Sequence, residues 1–144
     1  MMIEKFQYYI DNNLVRRGTP NKAEARALLE RALARYTYIC SQKITENSAP
    51  FIFEGIYEVI REAAQALMEL KGYKPYSHEA VISFLREFFH FHLQDISSFD
   101  RYRILRNKVV YRAEGVDSDS CKSSLEFVEH FLPELKAEFE RLEK

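Results

Sequence analysis

Residues 50–72 read PFIFEGIYEVIREAAQALMELKG, and the spacing inside this stretch decides the fold class. Phe53, Ile56, Tyr57, Ile60, Ala64, Leu67 and Met68 recur at steps of one, three and four, which puts them on one side of a helix. Pro50 suits only a first turn, where its missing N–H is not needed, and Asn47 and Ser48 just before it are capping residues. Gly72 stops the run. The pattern predicts a helix from about Phe51 to Leu70.

The same spacing extends in both directions. Upstream, Asn21 is a cap for a helix through Ala25, Leu28, Leu29, Ala32, Leu33, Tyr36 and Ile39, whose other side is charged. A short helix over roughly Ile3 to Leu14 precedes it, ended by the turn Arg17-Gly18-Thr19-Pro20. Downstream, Gly72 to Ser77 reads as a connecting turn, and Ser77 caps a fourth helix containing Ala80, Val81, Phe84, Leu85, Phe88 and Phe89. A fifth is expected after Ser97-Ser98, from Phe99 to about Ala113. Gly115, Asp117, Ser118 and Asp119 form a polar loop. A last helix passes through Leu125, Val128, Phe131, Leu132, Leu135 and Phe139, with Pro133 expected to kink or divide it because proline removes a helical hydrogen bond. The expectation is an all-α protein: an antiparallel, up-and-down bundle of about five main helices, one domain over residues 1–144 with its core in about 21–140.

Composition agrees. Only four Gly and four Pro occur in 144 residues, too few turn residues for a sandwich or barrel. Twenty-one Lys plus Arg against 22 Asp plus Glu leave a formal charge of −1, so any polyanion site must be local rather than global. Cys40 and Cys121 stand far apart, without a zinc or redox pattern, which points to a reducing compartment. The N-terminus lacks an apolar signal core and no stretch reaches transmembrane length, so a cytoplasmic protein without membrane attachment is expected. Nine Tyr and eleven Phe are enough to fill a core or to cover a subunit interface. No metal site and no cofactor are expected. His90 and His92, two apart on the predicted fourth helix, face different ways; His78 beside Ser77 and His130 beside Glu129 show no partner. No nucleophile elbow or phosphate loop is present.

Residues 100–112, DRYRILRNKVVYR, set Arg101, Arg103, Arg106, Lys108 and Arg112 against Asp100 alone. At about 100° per residue, Phe99, Tyr102, Leu105, Val109 and Val110 share an apolar face, Arg101, Lys108 and Arg112 lie on another, and Arg106 falls within the apolar face. Two readings follow. Arg106 makes a structural ion pair while the other cations form a solvated stripe, or Arg106 beside Asn107 presents a planar donor fork to phosphate at a subunit groove.

The run Tyr102-Arg103-Ile104-Leu105-Arg106-Asn107-Lys108-Val109-Val110-Tyr111 resembles the signature helix of HEPN (higher eukaryote and prokaryote nucleotide-binding) domains, in which Arg and a following polar residue precede a His. The third helix, the turn from Gly72 to Ala80 and the start of the fourth helix are similar to archaeal and bacterial stand-alone members. The likeness covers about Ala23 to Phe139. It implies a homodimer with signature helices near the two-fold axis and a composite, metal-independent RNA-cleaving site. There Arg106 and Asn107 would be catalytic, and Arg103, Arg106, Lys108 and Arg112 would bind phosphate.

At the expected His position stands Tyr111, and a phenol is a poor base at neutral pH where imidazole is suited. The resemblance therefore implies a toxin–antitoxin type protein that is catalytically degenerate and binds RNA, nucleotide or a partner protein. The alternatives are a ribonuclease toxin using Tyr111, paired with a minimal nucleotidyltransferase antitoxin, and a structural helical module. In the family that transferase adenylylates a Tyr two residues after the motif His; here that position is Ala113. Arg106 and Tyr111, five residues and about 140° apart on a helix, are expected to converge only if the helix bends or two subunits share the site. The dimer interface is expected to include the helix from Phe99 to Ala113 with Phe88 and Phe89.

Overall fold

The computed structural model describes residues 2–144. Among them are six helices, α1 (Phe6–Asp11), α2 (Lys22–Cys40), α3 (Ala49–Leu70), α4 (His78–Phe88), α5 (Leu93–Arg112) and α6 (Ser118–Glu143), and two short strands, β1 (Val15–Arg17) and β2 (Tyr73–Pro75). The protein is an all-α helical bundle. Among the described residues no helix is long and apolar enough to cross a membrane.

The bundle is organised around α3, which packs against α2, α4, α5 and α6. This follows from its sequence: Phe53, Val59, Ala63, Ala64, Ala66, Leu67 and Met68 are all essentially inaccessible, so α3 is buried on more sides than a surface helix would be. The alanines leave room for close approach of neighbours, and Ala25, Leu29 and Ala32 of α2 are likewise fully buried. Three predicted caps are made. Asn21 Oδ1 accepts from Glu24 N at 3.0 Å, Ser77 Oγ from Ala80 N at 3.4 Å, and Gly72 follows the last turn of α3 with φ +84°. At α6, Asp117 Oδ1 accepts from Ser120 N at 2.7 Å, and that bond holds the Asp117 carboxyl below its ordinary range.

Four expectations are corrected. The first helix is shorter than Ile3–Leu14, because the chain turns at Asn13 (φ 59°) and Val15–Arg17 pairs antiparallel with Tyr73–Pro75 in the register Val15↔Pro75, Arg16↔Lys74, Arg17↔Tyr73. That segment is no appendage: Ile3, Phe6 and Tyr9 are buried, so the core begins well before residue 21. Helix α5 starts at Leu93 and runs through Ser97-Ser98, since buried Ile96 and Phe99 on either side anchor it. The chain from Phe89 to His92 is then a linker, and His90 and His92 are not on a helix. Pro133 does not divide α6, whose Phe131, Leu132, Leu135 and Phe139 are buried on both sides of it; tertiary packing outweighs the lost hydrogen bond.

Candidate functional site

Where α5 packs on α3 and α4, Arg103 and Arg106 of α5 and Arg61 of α3 gather around one buried tyrosine. Tyr57 of α3 is 2% exposed, and its ionisation is pushed up, by burial first, against the opposing charges of Arg106, Arg103 and Arg61. The phenol therefore stays protonated and shares a hydrogen bond with Nδ1 of His78, 2.9 Å away, with the two rings stacked at 5.6 Å. His78 titrates at about 4, lowered chiefly by burial and then by the charges of Arg61 and Arg106, with Glu58 opposing.

The three guanidinium groups are not equivalent. Arg61 is saturated: Nε and Nη2 donate to Glu58 at 3.0 and 2.7 Å, and Nη1 donates to Gln65 at 2.7 Å. Burial opposes the charge on Glu58, but the hydrogen bonds and charge of Arg61 outweigh it and hold the carboxyl below its ordinary range. Arg103 is also engaged, with Nε donating to buried Asp100 at 2.8 Å and Nη1 lying 3.5 Å from Glu79. Arg106 differs. Its guanidinium carbon lies 5.8 Å from the ring centroid of Tyr57 and 5.8 Å from that of Tyr111, and among the described residues no carboxylate or other acceptor engages it. A half-buried guanidinium held between two aromatic faces has its donor fork free for an anion.

Beside this cluster, Arg61, Gln65, Tyr76, Ser77, His78 and Val81 line a cleft of about 160 Å³. The cleft offers the neutral imidazole of His78 and the hydroxyls of Tyr76 and Ser77, while the free guanidinium of Arg106 lies outside its lining, against Tyr57; all are groups suited to oxyanions such as phosphate.

A pH dependence follows. The unfolded chain protonates His78 near 6.5, whereas the folded chain keeps it neutral down to about 4. Between those values the unfolded state holds the extra proton, so this contribution is complete above pH 6.5 and is lost as the pH falls toward 4. Urea midpoints are expected to show roughly 2 kcal/mol less stability at pH 5 than at pH 7 from this group. His78→Gln should flatten that slope, while the same change at exposed His90 should not. A slope unaltered by His78→Gln would contradict the assignment.

No protein-family model matches this chain, and neither a curated protein nor a solved structure does. The site thus stands on its own geometry.

Of the residues expected from the sequence, Arg103 and Arg106 come together here. Tyr111, 74% exposed, reaches the same place, and neither a helix bend nor a second subunit is needed, because the long arginine stem spans the angular gap. Asn107 is half-buried beside them and makes no side-chain hydrogen bond among the described residues. Lys108 is elsewhere: with Arg101, Ile104, Leu105, Ser120 and Ser123 it lines a separate groove of about 400 Å³ between α5 and α6. Arg112 is exposed at the end of α5.

Sequence reasoning missed Arg61, Glu58 and His78. The i,i+3 spacing of Glu58 and Arg61 was visible as a surface pair, but nothing in it shows that α5 crosses that face. His78, expected to have no partner, bonds Tyr57; His130, expected to have none, lies 3.2 Å from Asp95 and 3.4 Å from Glu134.

Proposed function

We propose that this chain is a HEPN-type, cytoplasmic homodimer of a toxin–antitoxin pair that binds the phosphate of RNA or a nucleotide through Arg106, assisted by His78. The observation that supports this reading is the free donor fork of Arg106, held between Tyr57 and Tyr111 while both neighbouring arginines are already paired. Ile104, Val110 and Tyr111 leave apolar surface exposed on the same helix, which a second copy of α5 would cover. A minimal nucleotidyltransferase is the partner protein this reading assigns.

The test is fluorescence anisotropy with a labelled single-stranded RNA, competed by free nucleotide, with light scattering on the same samples. A hydrogen-bonded charge pair contributes about 1.5–3 kcal/mol, so Arg106→Ala should weaken binding roughly 10- to 100-fold. Lys108→Ala, in the other groove, should change it by much less. Equal affinity of wild type and Arg106→Ala would sink the nucleic-acid reading and favour partner binding, and a monomer at high micromolar concentration would sink the dimer.

A second reading, a metal-independent ribonuclease, is favoured by one observation: His78, a neutral imidazole, lies among the same arginines. In this reading His78 takes the proton-transfer role that the resemblance assigned to the Tyr111 position. Growth arrest on induction with RNA degradation, both lost in Arg106→Ala and in His78→Ala, would select it over simple binding.

A further inference from the structure

Away from the arginine cluster, Asp95 in the first turn of α5 meets His130 and Glu134, one turn apart on α6. Their ligand atoms all lie within 4.8 Å of one another. His130 Nε2 is 3.2 Å from Asp95 Oδ2 and 3.4 Å from Glu134 Oε2. Donors held about 2.0–2.1 Å from a tetrahedral ion are roughly 3.3–3.4 Å apart, so these separations are already those of adjacent corners of such a tetrahedron.

A second observation is independent of the spacing. Glu134 Oε2 is itself out of contact with solvent, although the Glu134 side chain is 43% exposed, and the group it faces is His130 Nε2 at 3.4 Å. A carboxylate oxygen that no water reaches and that faces an imidazole nitrogen is placed to share a cation with it. Asp95, only 13% exposed at its side chain, offers its own oxygen to the same point.

We propose that Asp95, His130 and Glu134 bind one divalent transition-metal ion of the zinc class, with water at the fourth position. One imidazole and two carboxylates suit Zn²⁺ better than Mg²⁺ or Ca²⁺, which favour all-oxygen sets. The site lies about 16 Å along α5 from Arg106 and shares no residue with the arginine cluster, so it stands or falls separately from the phosphate-binding reading. Bound metal ties the start of α5 to the middle of α6.

The experiment is calorimetric titration of the whole chain with Zn²⁺, repeated with Co²⁺ and followed by the visible absorption of a tetrahedral site. One equivalent is expected. At a free concentration 100 times Kd, the ion should raise Tm by roughly 5–10 °C. His130→Ala, at a side chain 59% exposed and so without folding cost, should weaken binding at least tenfold and abolish the Tm rise. Asp95→Asn and Glu134→Gln should do the same, while a His90→Gln/His92→Gln double variant should bind as wild type. No bound equivalent, or one that survives both His130→Ala and Asp95→Asn, overturns the proposal.

Discussion

Gly72→Ala is expected to lower stability by on the order of 3 kcal/mol, a large effect for a single methyl group. Gly72 has φ +84°, and a Cβ there would lie 2.4 Å from the carbonyl oxygen of Gly18 and 3.2 Å from Cδ of Pro20. The left-handed conformation alone costs an L-residue about 1–2 kcal/mol. The remainder comes from pushing away the Gly18 backbone, whose N–H donates to Gly72 O at 2.7 Å. This turn carries the chain from α3 into β2 and on to Ser77 and His78, so the proposed phosphate site should loosen together with the fold. Denaturant midpoints measure the first effect, and RNA affinity of the folded protein measures the second. Gly115→Ala is the control: its Cβ would meet nothing within 4 Å, and it should be close to neutral. A Gly72→Ala protein as stable as wild type would refute this account of the turn.

The other large effect is expected at Phe84, which is fully buried in α4. Its ring contacts Phe6, Tyr73, Phe88 and Phe89 at centroid distances of 5.6, 6.0, 4.6 and 5.6 Å. It therefore joins α1, β2 and the end of α4 in one aromatic cluster. Removing a buried phenyl ring costs about 3–5 kcal/mol through lost transfer energy and the cavity left behind, equivalent to a Tm drop of roughly 10–15 °C in a chain of this size. Phe51→Ala, at a residue 74% exposed, should stay within about 0.5 kcal/mol of wild type. If thermal unfolding shifts equally in the two variants, the cluster is not what fastens the N-terminal segment to α4.

Phe84 and Gly72 also mark how far the sequence could be read. Phe84 falls in register with Ala80, Val81 and Leu85, and that repeat identified α4 and its inner face directly. Gly72 was legible as a stop. What it stops against was not: the Gly18 carbonyl is 54 residues upstream and directly follows a three-residue strand, too short for any periodic signal. The early start of α5 was hidden for a related reason. Ser97-Ser98 are weak helix formers that resemble a boundary, and only the burial of Ile96 and Phe99 against other helices overrides them.

The candidate site divides along the same line. By itself the sequence determined the all-α class, the helix stops and caps at Asn21, Gly72 and Ser77, and the concentration of cations on α5 around Arg106, because these depend on local spacing and on the backbone preferences of individual residues. Tertiary structure alone decided which of those cations is free. Arg61 and Arg103 find carboxylates on their own helices, whereas Arg106 is brought against Tyr57 and near His78 by the packing of α5 on α3 and α4. It likewise decided that Asp95 meets His130 and Glu134 across two helices. The physical reason is that a charge takes its partner, its desolvation and its pKa from whatever lies within a few ångströms in space, and distance along the chain sets none of these.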